Sequence, residues 1–476
     1  MAEPSAPVAW PQHGERNVIR IFNHYVSRMG IVLLLMELLI LHAAAALTTL
    51  LWTGAAHQPL QLTFSAFAFA LVNVFCMSTL GMYLQQERED MRATLARIAP
   101  AFVLGFALLS ALMHVLPAIH FGRAGGMAFV LGGAGVVLTR LLLFKSPSAG
   151  MMTERLIVVG DGALALECLE LAASPGRPCR FDVVGCVPVP GEASCVPAAK
   201  RLPPGESLLS LARRHGATEL VVSVGDRRSG AYPVRELLDC ALGGVRVTDA
   251  AHFFEREASQ IRLDSLQPSY LIFGGGFDQS FLRAAVKRTF DLAASAAICL
   301  VTLPVMLAAA LCIVLEDGGP VIFRQERVGK DGRRFQVLKF RSMGPDAERD
   351  GQPRWATAQD PRVTRVGYWL RKLRIDELPQ MINVFRGEMS FVGPRPERAY
   401  FVEQLGRAIA YYDVRHSIKP GITGLAQVRY QYGASVDDAV RKLQYDLYYV
   451  KNNSLFLDLL ILIDTVRVVL SGKGAR

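Results

Sequence analysis

The segment Arg371 to Glu397, RKLRIDELPQMINVFRGEMSFVGPRPE, gathers the residues best suited to chemistry. Asp376 and Glu377 are adjacent carboxylates closed off by Pro379, with Arg371, Lys372 and Arg374 just before them. A short apolar run leads to Gly393-Pro394-Arg395-Pro396, a rigid turn that presents a guanidinium. In such a set one carboxylate can act as a nucleophile while a neighbour holds a metal on a phosphate. The same dipeptide also suits the first turn of a solvated helix, where acids complement the helix dipole. The dipeptide alone leaves both readings open, so the elements around it have to decide.

With 476 residues the chain exceeds one ordinary domain, and its length suggests roughly three. Hydrophobic residues make up 51% and mean hydropathy is +0.27, which points to membrane segments. The net charge of +10 is unevenly placed: from Phe281 onward there are 30 Lys and Arg against 20 Asp and Glu, while the earlier part balances. Anionic lipid, nucleic acid or a phosphorylated substrate each match such a basic half. The eight cysteines form no CxxC pair and the nine histidines are scattered. Reduced, cytosol-facing thiols are expected, without a disulfide framework or a His-built metal site.

Residues 1–28 read as a polar tail without a cleavable signal. Four apolar segments follow within 29–145, at about Met29–Trp52, Leu62–Leu84, Ile98–Ile119 and Gly125–Phe144, each near the ~20 residues a bilayer-crossing helix needs. Arg16, Arg20 and Arg28 precede the first, Arg88, Arg92 and Arg97 lie between the second and third, and Arg140, Lys145 and Arg155 flank the exit. The positive-inside rule then sets both the N-terminus and the chain after Lys145 on the cytoplasmic side. Glu37 and His42 fall inside the first span. An intramembrane acid is a candidate functional group, but a helix-packing contact, or a residue close enough to the interface to stay wet, is the reading preferred here.

Residues 153–258 alternate between strand and helix patterns. Arg155–Gly160 (RLIVVG) reads as a buried parallel strand, and Gly160-Asp161-Gly162-Ala163-Leu164-Ala165 matches G-x-G-x-x-A at a strand-to-helix turn, as in a Rossmann-like unit. Strands at Phe181–Val187, Glu219–Val224 and Val245–Val247 and helices at Ser207–His215 and Val234–Leu242 continue the pattern. No clear acid ends a second strand, so a regulatory or dimerising domain is preferred over a redox one. Residues 259–280 read as a linker, loosest at Gly274-Gly275-Gly276.

The last part, 281–476, begins with an uncharged run, Leu292–Leu315, interrupted by Pro304. Proline removes a backbone hydrogen bond and kinks a helix. A re-entrant hairpin over 288–316 is therefore expected, entering and leaving by one face, with Thr302 helping to satisfy the freed polar groups. Lys339 and Arg341 alternate with apolar neighbours in the β-like FQVLKFRSM. Asn453–Leu470 is apolar but carries Asp458, Asp464 and Arg467, which argues for a helix lying in the interface. Tyr445, Tyr448 and Tyr449 suit either a headgroup belt or a core.

GPVIFRQERVG, FQVLKFRSM, IDELPQMINVFRGEMSFVGPRPE, KPGITGLAQV and YDLYYVKNNSLFLD occur in this order. In these motifs the chain resembles the bacterial monotopic phosphoglycosyl transferases, and as a whole their large membrane-anchored subgroup, the polyprenyl-phosphate hexose-1-phosphate transferases. The fold implied is membrane α plus α/β: a four-helix transmembrane bundle, a Rossmann-like domain and a mainly helical catalytic domain with a re-entrant hairpin. One departure is that Leu303-Pro304 stands where the family usually has Ser-Pro.

The resemblance implies transfer of a hexose-1-phosphate from a UDP-sugar to undecaprenyl phosphate with release of UMP, at the inner membrane among inner-leaflet lipids. It implies Asp376 as nucleophile and, with Glu377, as Mg2+ ligand. Arg371, Arg395, Lys339 and Arg341 would face phosphate, with Pro394 and Pro396 shaping the turn and Asp446 in a supporting polar role. A homodimer through the middle domain is plausible, and no nucleic-acid partner is expected. Two alternatives are weighed against this: a membrane-bound NAD-dependent nucleotide-sugar dehydratase, for which Tyr368–Lys372 offers Y-x-x-x-K but no second glycine fingerprint, and a non-enzymatic nucleotide-sensing scaffold.

Overall fold

In the computed structural model, the residues described are 18–21, 24–53, 59–83, 91–116, 119, 124–145, 154–173, 181–203, 205–225, 232–263, 277, 280–344, 347, 360, 362–430 and 435–470. Most of the expected tail and linker, including Gly274-Gly275-Gly276, lies outside them, as does Cys179. The chain divides into two compact units, one essentially up to Ala258 and the other from Ser259 onward.

In the first unit, β1 (Val18–Ile21) and β2 (His24–Ser27) are short strands within the stretch expected as a tail. Helices α1 (Arg28–Thr53), α2 (Pro59–Thr79), α3 (Met91–Val115) and α4 (Ala124–Lys145) follow. Among the described residues, four helices of the chain are long and apolar enough to cross a membrane: α1, α3, α4 and one in the second unit, with α2 giving a shorter apolar stretch, Thr63–Thr79. Glu37 is a packing contact, as preferred. Its carboxylate accepts from Arg140 Nε at 2.8 Å and Nη2 at 3.1 Å, joining α1 to α4 with both side chains buried.

The α/β part of this unit comprises β3 (Glu154–Val159), α5 (Ala163–Ala173), β4 (Phe181–Val187), α6 (Leu208–His215), β5 (Glu219–Val222), α7 (Val234–Leu242), β6 (Arg246–Asp249) and α8 (Ala250–Ala258). The strands form one parallel sheet in the order β4-β3-β5-β6. Leu156, Ile157, Val158 and Val159 are all fully buried, as a continuous apolar run predicts for a central strand covered on both faces. The described cysteines are free thiols.

The second unit opens with α9 (Phe281–Asp317), a single 37-residue helix that runs through Pro304 and contains the stretch expected as a hairpin. Thr302 Oγ1 donates to the Ile298 carbonyl at 2.7 Å. It thus caps a carbonyl other than that of Leu300, the one four residues before Pro304. A β-hairpin follows, β7 (Ile322–Val328) against β8 (Arg334–Phe340), paired from Ile322–Phe340 to Val328–Arg334. Next come α10 (Arg365–Lys372), started by the Thr364 hydroxyl accepting from Gly367 N, and α11 (Gln380–Arg386). Strands β9 (Ser390–Val392) and β10 (Gly421–Thr423) pair in parallel. Between them lies α12 (Ala399–Ala408), and after them α13 (Leu425–Arg429), α14 (Val436–Asn452) and α15 (Leu455–Leu470).

The acids of α15 and the three tyrosines left open between belt and core take defined places in this unit. Asp458 turns inward, fully buried and paired with Lys287 at 2.6 Å, while the partly exposed Asp464 pairs with Arg429 at 3.0 Å. An apolar helix packed on β9, β10 and α13 can keep such charges because partners meet them there. Tyr445, Tyr448 and Tyr449 are core residues, each at most 3% exposed.

Candidate active site

Asp376 and Glu377 sit on a 3₁₀ turn, Ile375–Glu377, set off from α10 by Arg374 in the left-handed conformation at φ 59°. That reversal carries both carboxylates inward, and both side chains are buried. The solvated-helix-start reading is therefore excluded.

Glu377 Oε1 is the focus of the charge. Lys339 Nζ lies at 2.9 Å, Arg395 Nη2 at 3.2 Å and Arg374 Nη1 at 3.7 Å. Lys339 is aimed by its strand. Asn383 on α11 accepts from Leu338 N at 3.0 Å and donates to Gln336 O at 2.7 Å, tying β8 to the helix beside the site. Arg395 is held on its other side by Gln427 Oε1 at 2.8 Å. Burial opposes the charged form of Glu377, but Lys339, Arg395 and Arg374 overcome it and hold its carboxyl well below the usual carboxylate range.

Asp376 differs. Its Oδ1 is buried and has no hydrogen-bond partner among the described residues. Burial and then the Glu377 charge push its pKa up, while Lys339, Arg374 and Arg371 pull it down. The two adjacent carboxylates thus have different surroundings: Glu377 lies among cations, while Asp376 keeps an unpartnered oxygen. A buried acceptor without a partner is costly, so Asp376 Oδ1 is an unsatisfied position in the site. Among the described residues no three or more His, Cys, Asp or Glu come together as a metal cluster. A cation here would rest on hard oxygens of Asp376 and Glu377 and on phosphate oxygens of a ligand, the coordination habit of Mg2+. The residues present fit that ion.

Of the residues singled out from sequence, Lys339, Arg371, Arg395, Asp376 and Glu377 converge. Pro394 and Pro396 flank Arg395, and their carbonyls accept from Gly421 N at 2.9 Å and Arg327 Nη1 at 3.2 Å. Arg341 goes elsewhere. Its guanidinium donates to Gly319 O, Asp317 O and Gly318 O at 2.9, 3.1 and 2.7 Å, capping the end of α9, where a cation complements the helix dipole. Asp446 is buried away from the carboxylate pair and ion-paired with Arg415 at 2.8 Å. Sequence reasoning placed Arg374 among the cations beside the pair without giving it a role, and it did not single out Gln427 or Arg415 for the site. Gln427 lies in a motif already quoted, whereas Arg415 carries no local signal.

Comparison with known proteins gives the chain's relations. Residues 282–472 match the family described as bacterial sugar transferase. A UDP-glucose:undecaprenyl-phosphate glucose-1-phosphate transferase from Xanthomonas campestris pv. campestris is 30% identical over 428 residues, 85% of this chain and 86% of that one. A UDP-N-acetylgalactosamine-undecaprenyl-phosphate N-acetylgalactosaminephosphotransferase from Aeromonas hydrophila is 45% identical over 242 residues, 51% of this chain and 56% of its own. The Escherichia coli K12 UDP-glucose:undecaprenyl-phosphate glucose-1-phosphate transferase is 43% identical over 183 residues, 38% of this chain and 39% of its own. The match therefore spans about half or less of the Aeromonas and Escherichia proteins.

Proposed function

The chain belongs to the bacterial sugar transferase family, and from that premise we propose that it transfers a hexose-1-phosphate from a UDP-sugar to undecaprenyl phosphate with release of UMP. The observation that carries this reading is the divided carboxylate pair: Asp376 buried with an unpartnered oxygen, beside Glu377 neutralised by three cations.

In the proposed reaction the Asp376 carboxylate attacks the phosphorus that bears the sugar. A phosphorus–oxygen bond to Asp376 forms as the bond to UMP breaks, and UMP leaves with the bonding pair. A phosphate oxygen of undecaprenyl phosphate then attacks the same phosphorus, and Asp376 departs as a free carboxylate. Splitting the transfer lets two mutually repelling anions be handled one at a time. Phosphoryl transfer is chiefly positioning and charge neutralisation, which Lys339, Arg371, Arg374 and Arg395 are suited to supply. Asp376 and Glu377 would hold Mg2+, whose charge would offset the diphosphate and favour UMP as a leaving group.

The topology proposed is multi-pass in the bacterial inner membrane, with the catalytic part facing the cytoplasm and α9 re-entrant at Pro304. The parallel-sheet part serves as a Rossmann-like regulatory or dimerisation domain. An NAD-dependent dehydratase is disfavoured by the lack of a second glycine fingerprint, and the glycine turn of the middle domain is itself poorly suited to a dinucleotide. The Glu192 carboxylate lies 3.2 Å from where a Cβ on Gly160 would stand, at the helix start where a pyrophosphate would need its anion site.

The test is a UMP-release assay of the full chain with undecaprenyl phosphate and a panel of UDP-sugars, comparing wild type with Asp376→Asn. The variant is expected to fold and release no UMP. A folded variant that still turns over, or an NAD absorbance change with a UDP-sugar and no UMP, overturns the reading.

A further inference from the structure

Arg395 can meet Glu377 reproducibly only if its backbone is fixed, and the prolines on either side of it bring no donors to fix it. Pro394 and Pro396 have no backbone N–H. Instead, four consecutive carbonyls are tied from outside. Pro394 O accepts from Gly421 N at 2.9 Å, Arg395 O from Arg415 Nη2 at 3.0 Å, Pro396 O from Arg327 Nη1 at 3.2 Å and Glu397 O from Val328 N at 2.9 Å. Arg415 is the contact made at Arg395 itself. We propose that Arg415 is a positioning residue that sets where the Arg395 guanidinium meets Glu377. This rests on Arg395 acting on phosphate in the proposed transfer.

The choice of a buried cation supports the role. Arg415 is 7% exposed, and its Nε has no hydrogen-bond partner among the described residues. If only volume had to be filled, a packed apolar side chain would do so without the cost of removing a guanidinium from water. A planar fork offers what an apolar group cannot, which is bridging in fixed directions. Nη2 spans from Asp446 at 2.8 Å to the Arg395 carbonyl, and Nη1 donates to Tyr412 Oη at 2.7 Å. The turn is thereby referenced to α14, whose stretch from Leu443 to Asn452 is wholly buried and whose start is fixed by a Ser435–Asp438 capping box. On the far side of the turn the Arg395 side chain completes the line to Glu377 and Gln427. Asp446, Arg415, Arg395 and Glu377 thus form one chain of contacts from a rigid helix to the carboxylate pair.

A double-mutant cycle separates positioning from general structural support, because residues acting through one another give non-additive effects. The full-length enzyme is assayed for UMP release as wild type, Arg415→Gln, Arg395→Ala and the double variant, with thermal unfolding recorded for each. Arg415→Gln is expected to lower kcat/KM by about 10- to 100-fold, as a displacement of order 1 Å does at other sites. In the Arg395→Ala background the same change is expected to cost less than about 3-fold. Should Arg415→Gln fail to fold, Tyr412→Phe removes one acceptor, retains the cation and is expected to show the same non-additivity at smaller size. A damaged but folded Arg395→Ala in which the second change multiplies the loss overturns the role of Arg415 alone. Full activity in a folded Arg395→Ala overturns the reading of Arg395, and with it any need to position that residue.

Discussion

Gly393 gives the sharpest geometric prediction. Its N–H donates to Thr423 O at 2.9 Å, so the residue lies flat against β10 at the start of the arginine turn. A Cβ added there would stand 2.5 Å from Lys419 O and 2.8 Å from Gly421 N, both backbone atoms. No side-chain rotation relieves such a clash; the turn itself has to move. Restoring ordinary contact requires a shift of roughly 0.5–0.9 Å, and overpacking of this kind costs about 1–3 kcal/mol. Arg395 stands two residues on and meets Glu377 at 3.2 Å and Gln427 at 2.8 Å. A shift of that size breaks hydrogen-bond geometry at both ends. Misplacement by about 1 Å costs about 100-fold in rate, so Gly393→Ala is expected to lower kcat/KM for UMP release by about 30- to 100-fold while the protein still folds. Gly344→Ala is the control, because a Cβ there meets nothing within 4 Å and activity should stay near wild type. The assay is UMP release across substrate concentrations in detergent, with thermal unfolding to verify folding. A folded Gly393→Ala with wild-type kcat/KM refutes the claim that backbone closeness at this glycine sets Arg395.

Chelation of divalent cations is expected to stop UMP release and Mg2+ to restore it, since Asp376 and Glu377 would hold the ion through hard oxygens; undiminished turnover in excess chelator would remove the metal from the reading. Lys287→Met removes the cation 2.6 Å from Asp458 Oδ2 and leaves the buried carboxylate only the Tyr449 hydroxyl on Oδ1, and breaking a buried pair costs about 3–5 kcal/mol. A clear fall in unfolding temperature should follow, with Lys287→Met/Asp458→Asn recovering part of it. Arg140→Gln should loosen α1 against α4, because Glu37 loses both of its hydrogen bonds. Thermal unfolding in detergent reads this, and pairing the change with Glu37→Gln should restore stability in part. An unchanged transition would show the intramembrane pair to be energetically idle.

Local pattern was enough for much of the architecture. Apolar runs at 29–145 fixed the helices α1 to α4, because a run of about 20 apolar residues has few other stable fates. The α/β alternation gave Phe181–Val187 and Val234–Leu242 with their ends intact, and Asp376-Glu377 stood out as adjacent acids beside a cationic run. Burial of that pair, and its division into one neutralised and one unsatisfied carboxylate, came from residues distant in sequence. Lys339, on β8, and Arg395, after β9, reach Glu377 only once the hairpin and the β9–β10 pair have formed. The fold also sent Arg341 to cap α9, though by type and spacing it equals Lys339. It turned Asp458 and three tyrosines inward and brought Arg415 to the carbonyl of Arg395. Sequence periodicity records which residues share a face of one element, but the direction of a side chain and its partner across elements are set by packing. For this protein the residue types of the chemistry are thus written in the chain, while the surroundings that set the two carboxylates apart belong to the tertiary structure.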